Sequence, residues 1–91
     1  MMTFTATREQ RDELEGLAYW VSDRAWSRER GELDEHEDHR TDTTIRAIFD
    51  ALDRLGVPYW VQNAVCCWAE DWRHTMRENL RDAMRAEQIT L

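Results

Sequence analysis

Apolar residues recur at the three- and four-residue spacing of a helix face in three stretches of this chain. The stretches cover residues 8–30, 42–55 and 58–88, and an acidic connection, residues 31–41, separates the first from the second. The pattern predicts an all-α fold in a single domain. We expect a small bundle of three helices, with four as the alternative, and a long C-terminal helix.

The first helix has clear boundary signals. Thr7 and Gln10 have the spacing of a capping box, and Gly31 is typical of the residue that follows a helix end. The predicted buried stripe comprises Leu14, Leu17, Ala18, Val21 and Ala25. Tyr19 and Trp26 point away from that stripe at 100° per residue. Either two neighbours touch this helix, or one aromatic flank is exposed for a partner.

The second helix is predicted to begin at Thr41 or Asp42, since either residue type can cap a helix N-terminus. Gly56 followed by Val57 predicts a Schellman motif, in which Val57 contacts Leu52. The stripe expected between these ends comprises Ile45, Ile48, Phe49, Leu52 and Leu55.

The acidic connection has two interpretations. We predict a loop with some helical turn in it. The alternative is an acidic first part of the second helix, because carboxylates suit the positive end of a helix dipole.

The third helix is expected to start at Pro58, whose fixed φ suits a first helical position. It holds three of the five Trp residues, so we expect it to be the wall against which the rest packs. A straight helix over residues 58–88 would measure roughly 45 Å, so it should overhang the domain or bend near residues 74–79. Residues 89–91 are expected to fray.

Charge narrows the classes of function. Of the 91 residues 42% are hydrophobic, which is too many for a disordered chain, and the net charge is −7. All twelve basic residues are Arg, and residues 31–57 carry eight acids against three Arg, which places −5 of the total there. A negative field repels phosphate, so no direct nucleic-acid binding is expected. A protein partner with a basic surface is favoured instead.

The chain shows no sign of membrane association or export. Its longest apolar run, residues 64–69, is far short of the ~20 residues of a membrane span, and no signal peptide is evident. Cys66 and Cys67 diverge by about 100° on a helix, so we expect reduced thiols. These features predict a cytoplasmic protein.

Two groups of residues bear on catalysis or metal binding. His36 and His39 share a helix face beside carboxylates, as metal ligands do, and Cys67 lies two turns before His74. The histidine pair lacks a third defined ligand, and the cysteine lacks an oxyanion site nearby. We therefore expect ordinary surface and packing roles, with no enzyme activity, no catalytic residue, no cofactor and no metal.

An arginine ridge runs along the third helix. Arg73, Arg77, Arg81 and Arg85 stand every four residues, a pattern that can grip phosphates. Acids three and four residues away nearly neutralise them, so we expect structural ion pairs, either with those local acids or with the acids of the first helix.

A protein-binding surface is the function that the pattern favours most. Clustered carboxylates can occupy the phosphate-binding positions of a nucleic-acid-handling protein and speed association with it. Five Trp residues are more than so small a core buries whole, so some should be half exposed as anchors. The expected partner-binding residues are Glu29, Glu32, Asp34, Glu35, Glu37, Asp38, Asp42, Trp20, Trp26 and Trp60.

This chain resembles the phage-encoded anti-CRISPR proteins in overall type. It is small, acidic, Arg-only and rich in Trp, and it carries the run ERGELDEHEDHRTD beside Trp20 and Trp26. These proteins share no motif, so no residue role is carried over. The resemblance implies a cofactor-free inhibitor in the host cytoplasm, an acidic DNA mimic that blocks the DNA-binding groove of a CRISPR effector complex. The alternative is a helical homodimer or regulatory module of the toxin–antitoxin or transcription-accessory kind, whose apolar flanks pair with themselves.

Overall fold

The computed structural model describes residues 2–32, 34–77 and 79–91, without the side chains of residues 75–77. This part of the chain is mostly helical, as the apolar spacing predicted, and it also contains one small sheet. The elements in chain order are β1 Phe4–Thr5, α1 Arg8–Arg30, α2 Glu35–Arg54, α3 Tyr59–Glu70, α4 Trp72–Arg77, α5 Leu80–Ala86 and β2 Ile89–Thr90.

The predicted bounds and caps of α1 are confirmed. The Thr7 hydroxyl accepts the N–H of Gln10 at 3.2 Å, and Gln10 Oε1 accepts the N–H of Thr7 at 2.9 Å, which completes the capping box. At the other end Gly31 adopts φ +67°, and its N–H donates to the carbonyl of Arg28 at 3.1 Å. Gln10 Nε2 also donates to the carbonyl of Leu55 at 2.9 Å, which ties the start of α1 to the end of α2.

The loop predicted for the acidic connection is wrong over residues 35–41, because α2 already begins at Glu35. Asp34 is its N-cap and accepts the N–H of Glu37 at 2.8 Å. Three carboxylates occupy the first turn, where the helix dipole favours negative charge. Thr41, one of the two predicted caps, lies inside the helix and donates its hydroxyl to the carbonyl of Glu37 at 3.0 Å. The alternative interpretation, an acidic first part of the second helix, is correct.

The Schellman motif at the end of α2 is confirmed. The N–H of Val57 donates to the carbonyl of Leu52 at 3.0 Å, and Gly56, with φ +75°, donates to the carbonyl of Asp53 at 3.1 Å. The buried side chain of Gln62 then donates from Nε2 to Asp53 Oδ1 at 2.8 Å and to the carbonyl of Val57 at 2.9 Å. These bonds hold the start of α3 on the end of α2.

The long C-terminal helix predicted over residues 58–88 is instead divided into α3, α4 and α5. The chain leaves helical geometry at Asp71, where φ is −89° and ψ is 85°, and the Asp71 carboxylate accepts the N–H of Arg73 at 3.1 Å. Asn79 caps α5 and accepts the N–H of Arg81 at 2.8 Å. Only the second break lies where a bend was predicted. The breaks let α5 pack on α3, and Met84 is buried as a result.

The two ends of the chain pair with each other. β1 lies parallel to β2, with Phe4 opposite Ile89. The N–H of Phe4 donates to the carbonyl of Gln88 at 3.0 Å, and the N–H of Ala6 donates to the carbonyl of Thr90 at 2.9 Å. Ile89 is fully buried. The predicted fraying of the last residues is therefore wrong.

The helix against which the rest of the chain packs is α1, not the C-terminal stretch that was predicted as this wall. It packs against both α2 and α3, which touch each other much less. The reason is that α1 is apolar on more than one side. The buried apolar side chains among the described residues are Leu14, Leu17, Ala18, Val21, Ile45, Leu52, Val57, Val61, Val65, Ala69, Met84 and Ile89.

Candidate functional site

Two of the predicted partner-binding carboxylates hold α2 against α1. Arg28 donates to both oxygens of Asp38, from Nε at 2.8 Å and from Nη2 at 2.9 Å. Asp42 accepts from Arg24 Nη1 and lies 3.7 Å from Arg28 Nη2. The hydrogen bond between Arg28 and Asp38 raises the pKa of the guanidinium and lowers the pKa of the carboxyl group. Asp38 and Asp42 therefore serve the fold.

Two more of these carboxylates are engaged at the end of α1. Glu29 accepts from Trp72 Nε1 and from Arg73 Nη2, the latter at 3.0 Å, and so joins α1 to α4. Glu32 Oε1 lies 2.7 Å from Arg30 Nη2. Exposed pairs of this kind contribute about 0–1 kcal/mol. Glu29 and Glu32 can exchange these partners. While they are paired, however, the predicted surface carries less free negative charge.

At the exposed start of α2, two of the predicted carboxylates form no such ion pair or hydrogen bond with the described residues. Asp34 is occupied as the helix cap. Glu35 and Glu37 are exposed, and their carboxylates form no ion pair or hydrogen bond with the residues that the structure describes. These two side chains are the free part of the predicted acidic surface.

A groove between α1 and α2 brings one of these carboxylates beside an indole ring. The groove has a volume of about 370 Å³. Its lining residues are Trp20, Glu37, Arg40, Thr41 and Thr44. Trp20 is half-buried, and its ring meets Tyr19 edge to face with centroids 5.6 Å apart. The sequence named Trp20 and Glu37 but missed Arg40, whose place beside them depends on the pairing of two helices.

The other two predicted tryptophans lie elsewhere. Trp26 is 36% exposed on α1, and the guanidinium of Arg30 stands 4.6 Å from its ring centroid. Trp60 lies in the first turn of α3, so the roughly 30 Å length of α2 separates it from the acidic start of that helix. It lines a different groove, of about 560 Å³, together with Trp68. The structure therefore does not bring the three indoles into one surface.

The histidine pair has the geometry of a solvated helix face. His36 and His39 are exposed on α2, and with Glu35 they line a shallow, open depression. Over the described ranges, His, Cys, Asp and Glu side chains form no group of three that could hold a metal ion.

Cys67 and His74, the second candidate reactive group, each contact a different neighbouring residue. The thiol of Cys67 donates to Asn63 Oδ1 at 3.6 Å, whereas His74 Nε2 lies 3.3 Å from Asp71 Oδ2. Asp71, where the helix breaks, thus holds the imidazole that would have to activate the thiol.

The arginine ridge forms ion pairs, as predicted, and two of its partners are of the alternative kind rather than local acids. α1 supplies them, so the ridge helps to hold the C-terminal helices on α1. The side chain of Arg77 lies outside the described residues. The pairs are Arg73 with Glu29 at 3.0 Å, Arg81 with Glu15 at 3.7 Å and Arg85 with Asp82 at 3.2 Å.

No protein family, no curated protein and no solved structure matches this chain. Across the described residues, no helix has both the length and the apolar character needed to cross a membrane.

Proposed function

We propose that this protein is a non-enzymatic inhibitor that binds a basic, nucleic-acid-binding site on a protein partner. The contact surface is the free start of α2 together with the groove beside Trp20. The observation that carries the proposal is the placement of Trp20 next to Glu37, whose carboxylate has no ion-pair partner among the described residues. An aromatic face and an available carboxylate thus meet at one exposed place.

This groove suits an Arg or Lys side chain of the partner. A guanidinium that pairs with Glu37 can lie over the ring of Trp20, and a cation–π contact adds about 0.5–2 kcal/mol. The chain shows the same chemistry internally, where Arg30 stands over Trp26. Aromatic residues at the centre of an interface also supply most of its binding energy.

The charge of the molecule supports a basic partner. A net charge of −7 attracts a positive surface and raises the rate of encounter. Because Asp38 and Asp42 are bound to Arg28 and Arg24, they hold the start of α2 against the end of α1. We assign the direct contact to Glu35 and Glu37, a narrower set than the whole acidic run.

The proposed partner is a CRISPR effector complex, because the chain resembles anti-CRISPR proteins in type. The inhibitor would occupy the groove in which the complex holds DNA, and it would act stoichiometrically, without catalysis or a cofactor. Steric and electrostatic exclusion of DNA is sufficient for such an effect.

The proposal is tested by measuring how purified CRISPR effector complexes of several types bind labelled target DNA as this protein is added. We expect DNA binding by one complex to fall with stoichiometric addition. Glu37→Arg should weaken that inhibition by about tenfold or more, since a repulsive contact replaces an attractive one.

Asp50→Arg is the matched control. Asp50 is exposed on the same helix, so the change in net charge is identical while the groove is intact. Undiminished DNA binding by every complex at excess protein would refute the proposal. Equal loss of inhibition in both variants would refute the assigned surface.

A further inference from the structure

One face of α1 is left open after the rest of the chain has packed. α2, α3 and α4 all contact this helix, yet Tyr19 is 65% exposed and Trp26 is 36% exposed. The two rings lie seven residues apart, two helical turns or roughly 10.5 Å along the axis. Glu15 and Arg30 are also exposed, and at 100° per residue all four fall within about 60° of arc. We call these four residues the outer face of α1.

The outer face is complementary to itself. Glu15 and Arg30 are equally far from the midpoint between residues 22 and 23, and so are Tyr19 and Trp26. Two antiparallel copies related by a two-fold axis at that midpoint therefore place each carboxylate opposite a guanidinium and each phenol ring opposite an indole. A two-fold interface repeats every contact, so a short face provides four of them.

We propose that two copies of this chain pair through the outer face of α1, antiparallel about this two-fold axis. Tyr19 of one copy packs against Trp26 of the other, and Arg30 of one copy pairs with Glu15 of the other. The outer face shares no residue with the lining of the Trp20 groove, although the Tyr19 ring touches Trp20. The dimer can therefore be tested independently of the proposed inhibition. A homodimer was the alternative that the apolar flanks of the first helix favoured in the sequence, and this pairing specifies its interface.

The charged groups of the outer face already have partners that they can exchange. Arg30 Nη2 lies 2.7 Å from Glu32 Oε1, and Glu15 Oε1 lies 3.7 Å from Arg81 Nη2. All four side chains are about half exposed, and exposed ion pairs of this kind contribute little to stability because solvent screens them. Replacing them with contacts between copies costs little.

Two features limit the affinity of the dimer. The net charge of −7 makes the copies repel each other, and Asp23, half-buried beside the axis, approaches its own counterpart. We therefore expect a dissociation constant on the order of 10–100 µM. Asp23→Asn should strengthen the dimer, because it removes the repulsion at the axis.

The test is sedimentation equilibrium of the whole chain over about 10–500 µM, a range that spans the expected dissociation constant. We expect the mass of the wild-type protein to rise towards that of a dimer. Glu15→Arg and Arg30→Glu should each weaken association by about tenfold or more. The double variant Glu15→Arg/Arg30→Glu should restore it, because the charges are exchanged and the pairing is kept.

Aromatic variants provide a second measurement with a matched control. Tyr19→Ala should weaken association by about tenfold, whereas Tyr59→Ala, at a tyrosine that is 77% exposed on α3, should leave it unchanged. Thermal melts of each variant verify that it is folded. A wild-type protein that stays monomeric throughout this range would overturn the proposal. A folded double variant that fails to restore association would overturn it as well, because another surface would then be responsible.

Discussion

At the scale of single residues, Cys66 and Cys67 are adjacent but have different surroundings. Cys66 is half-buried and its thiol donates to Glu70 Oε1 at 3.9 Å, whereas Cys67 is exposed. Burial, with the negative charge of Glu70 as a second cause, raises the pKa of the Cys66 thiol. A raised pKa leaves less thiolate near neutral pH, and thiolate is the form that reacts with alkylating agents.

We therefore expect iodoacetamide to modify Cys67 several-fold faster than Cys66 in the folded protein at about pH 8. Peptide mass spectrometry over time measures the two rates. Cys67→Ser should leave one slow thiol, and Cys66→Ser should leave one fast thiol. In denaturant the two rates should converge. Equal rates in the folded protein would show that the raised pKa and the burial of Cys66 do not govern its reactivity.

The acidic residues show what sequence reasoning reaches at this scale. Their number and their place in the chain follow from the sequence, and so does the suitability of Asp34 and its neighbours for a helix start. Whether a carboxylate is free does not follow. Asp38 and Asp42 are bound because α2 lies against α1 and brings them to Arg28 and Arg24, ten or more positions away in the chain.

At the scale of the helices, ends set by local chemistry were predicted well. The capping box at Thr7, the left-handed Gly31 and the Schellman motif at Gly56 each depend on residues within about six positions. The breaks at Asp71 and Asn79 also use ordinary capping residues. The first break was missed, and the second was expected only as a bend within residues 74–79. Asp and Asn equally fit the exposed face of a continuous helix, so their capping role emerges only when the chain folds back.

Two glycines in different settings give opposite predictions for the same substitution. Gly16→Ala should stabilise the protein by about 0.5–1 kcal/mol, because Gly16 lies inside α1 and alanine reduces the entropy lost on folding. The new Cβ would lie 3.9 Å from Ile48 Cδ1, an ordinary contact. Gly56→Ala should destabilise it by about 1–2 kcal/mol, because φ is +75° there.

Urea unfolding followed by circular dichroism measures both changes. Each variant serves as the control for the other, since the added methyl group is the same and neither site is crowded. If both variants shifted stability in the same direction, backbone conformation would not be the deciding factor.

At the scale of the whole molecule, the chain is organised from its two ends and its first helix. α1 touches both α2 and α3, and the strand pair β1–β2 joins residues that are 85 positions apart, as between Phe4 and Ile89. The side chain of Ile89 is fully buried. The C-terminal residues thus belong to the core.

We expect Ile89→Ala to destabilise the protein by about 2–5 kcal/mol, the usual range for truncating a buried isoleucine. Thr90→Ala, at the exposed neighbouring position, should change stability by no more than about 0.5 kcal/mol. Urea unfolding at equilibrium measures both. A loss below about 1 kcal/mol for Ile89→Ala would mean that the chain ends separate readily, as the sequence first suggested.

The sequence by itself determined the helical class, the extent of α1 and the Schellman motif at the end of α2. It also determined the excess of carboxylates in the middle of the chain. Apolar periodicity, capping residues and net charge are properties of the chain read locally, so no tertiary contact is needed to recognise them. The tertiary structure decided which helix became the wall, where the C-terminal stretch breaks, and that Glu37 lies beside Trp20 while Trp60 does not. These outcomes depend on contacts between residues distant in the chain, and the pattern of one segment holds no information about the segment that will cover it.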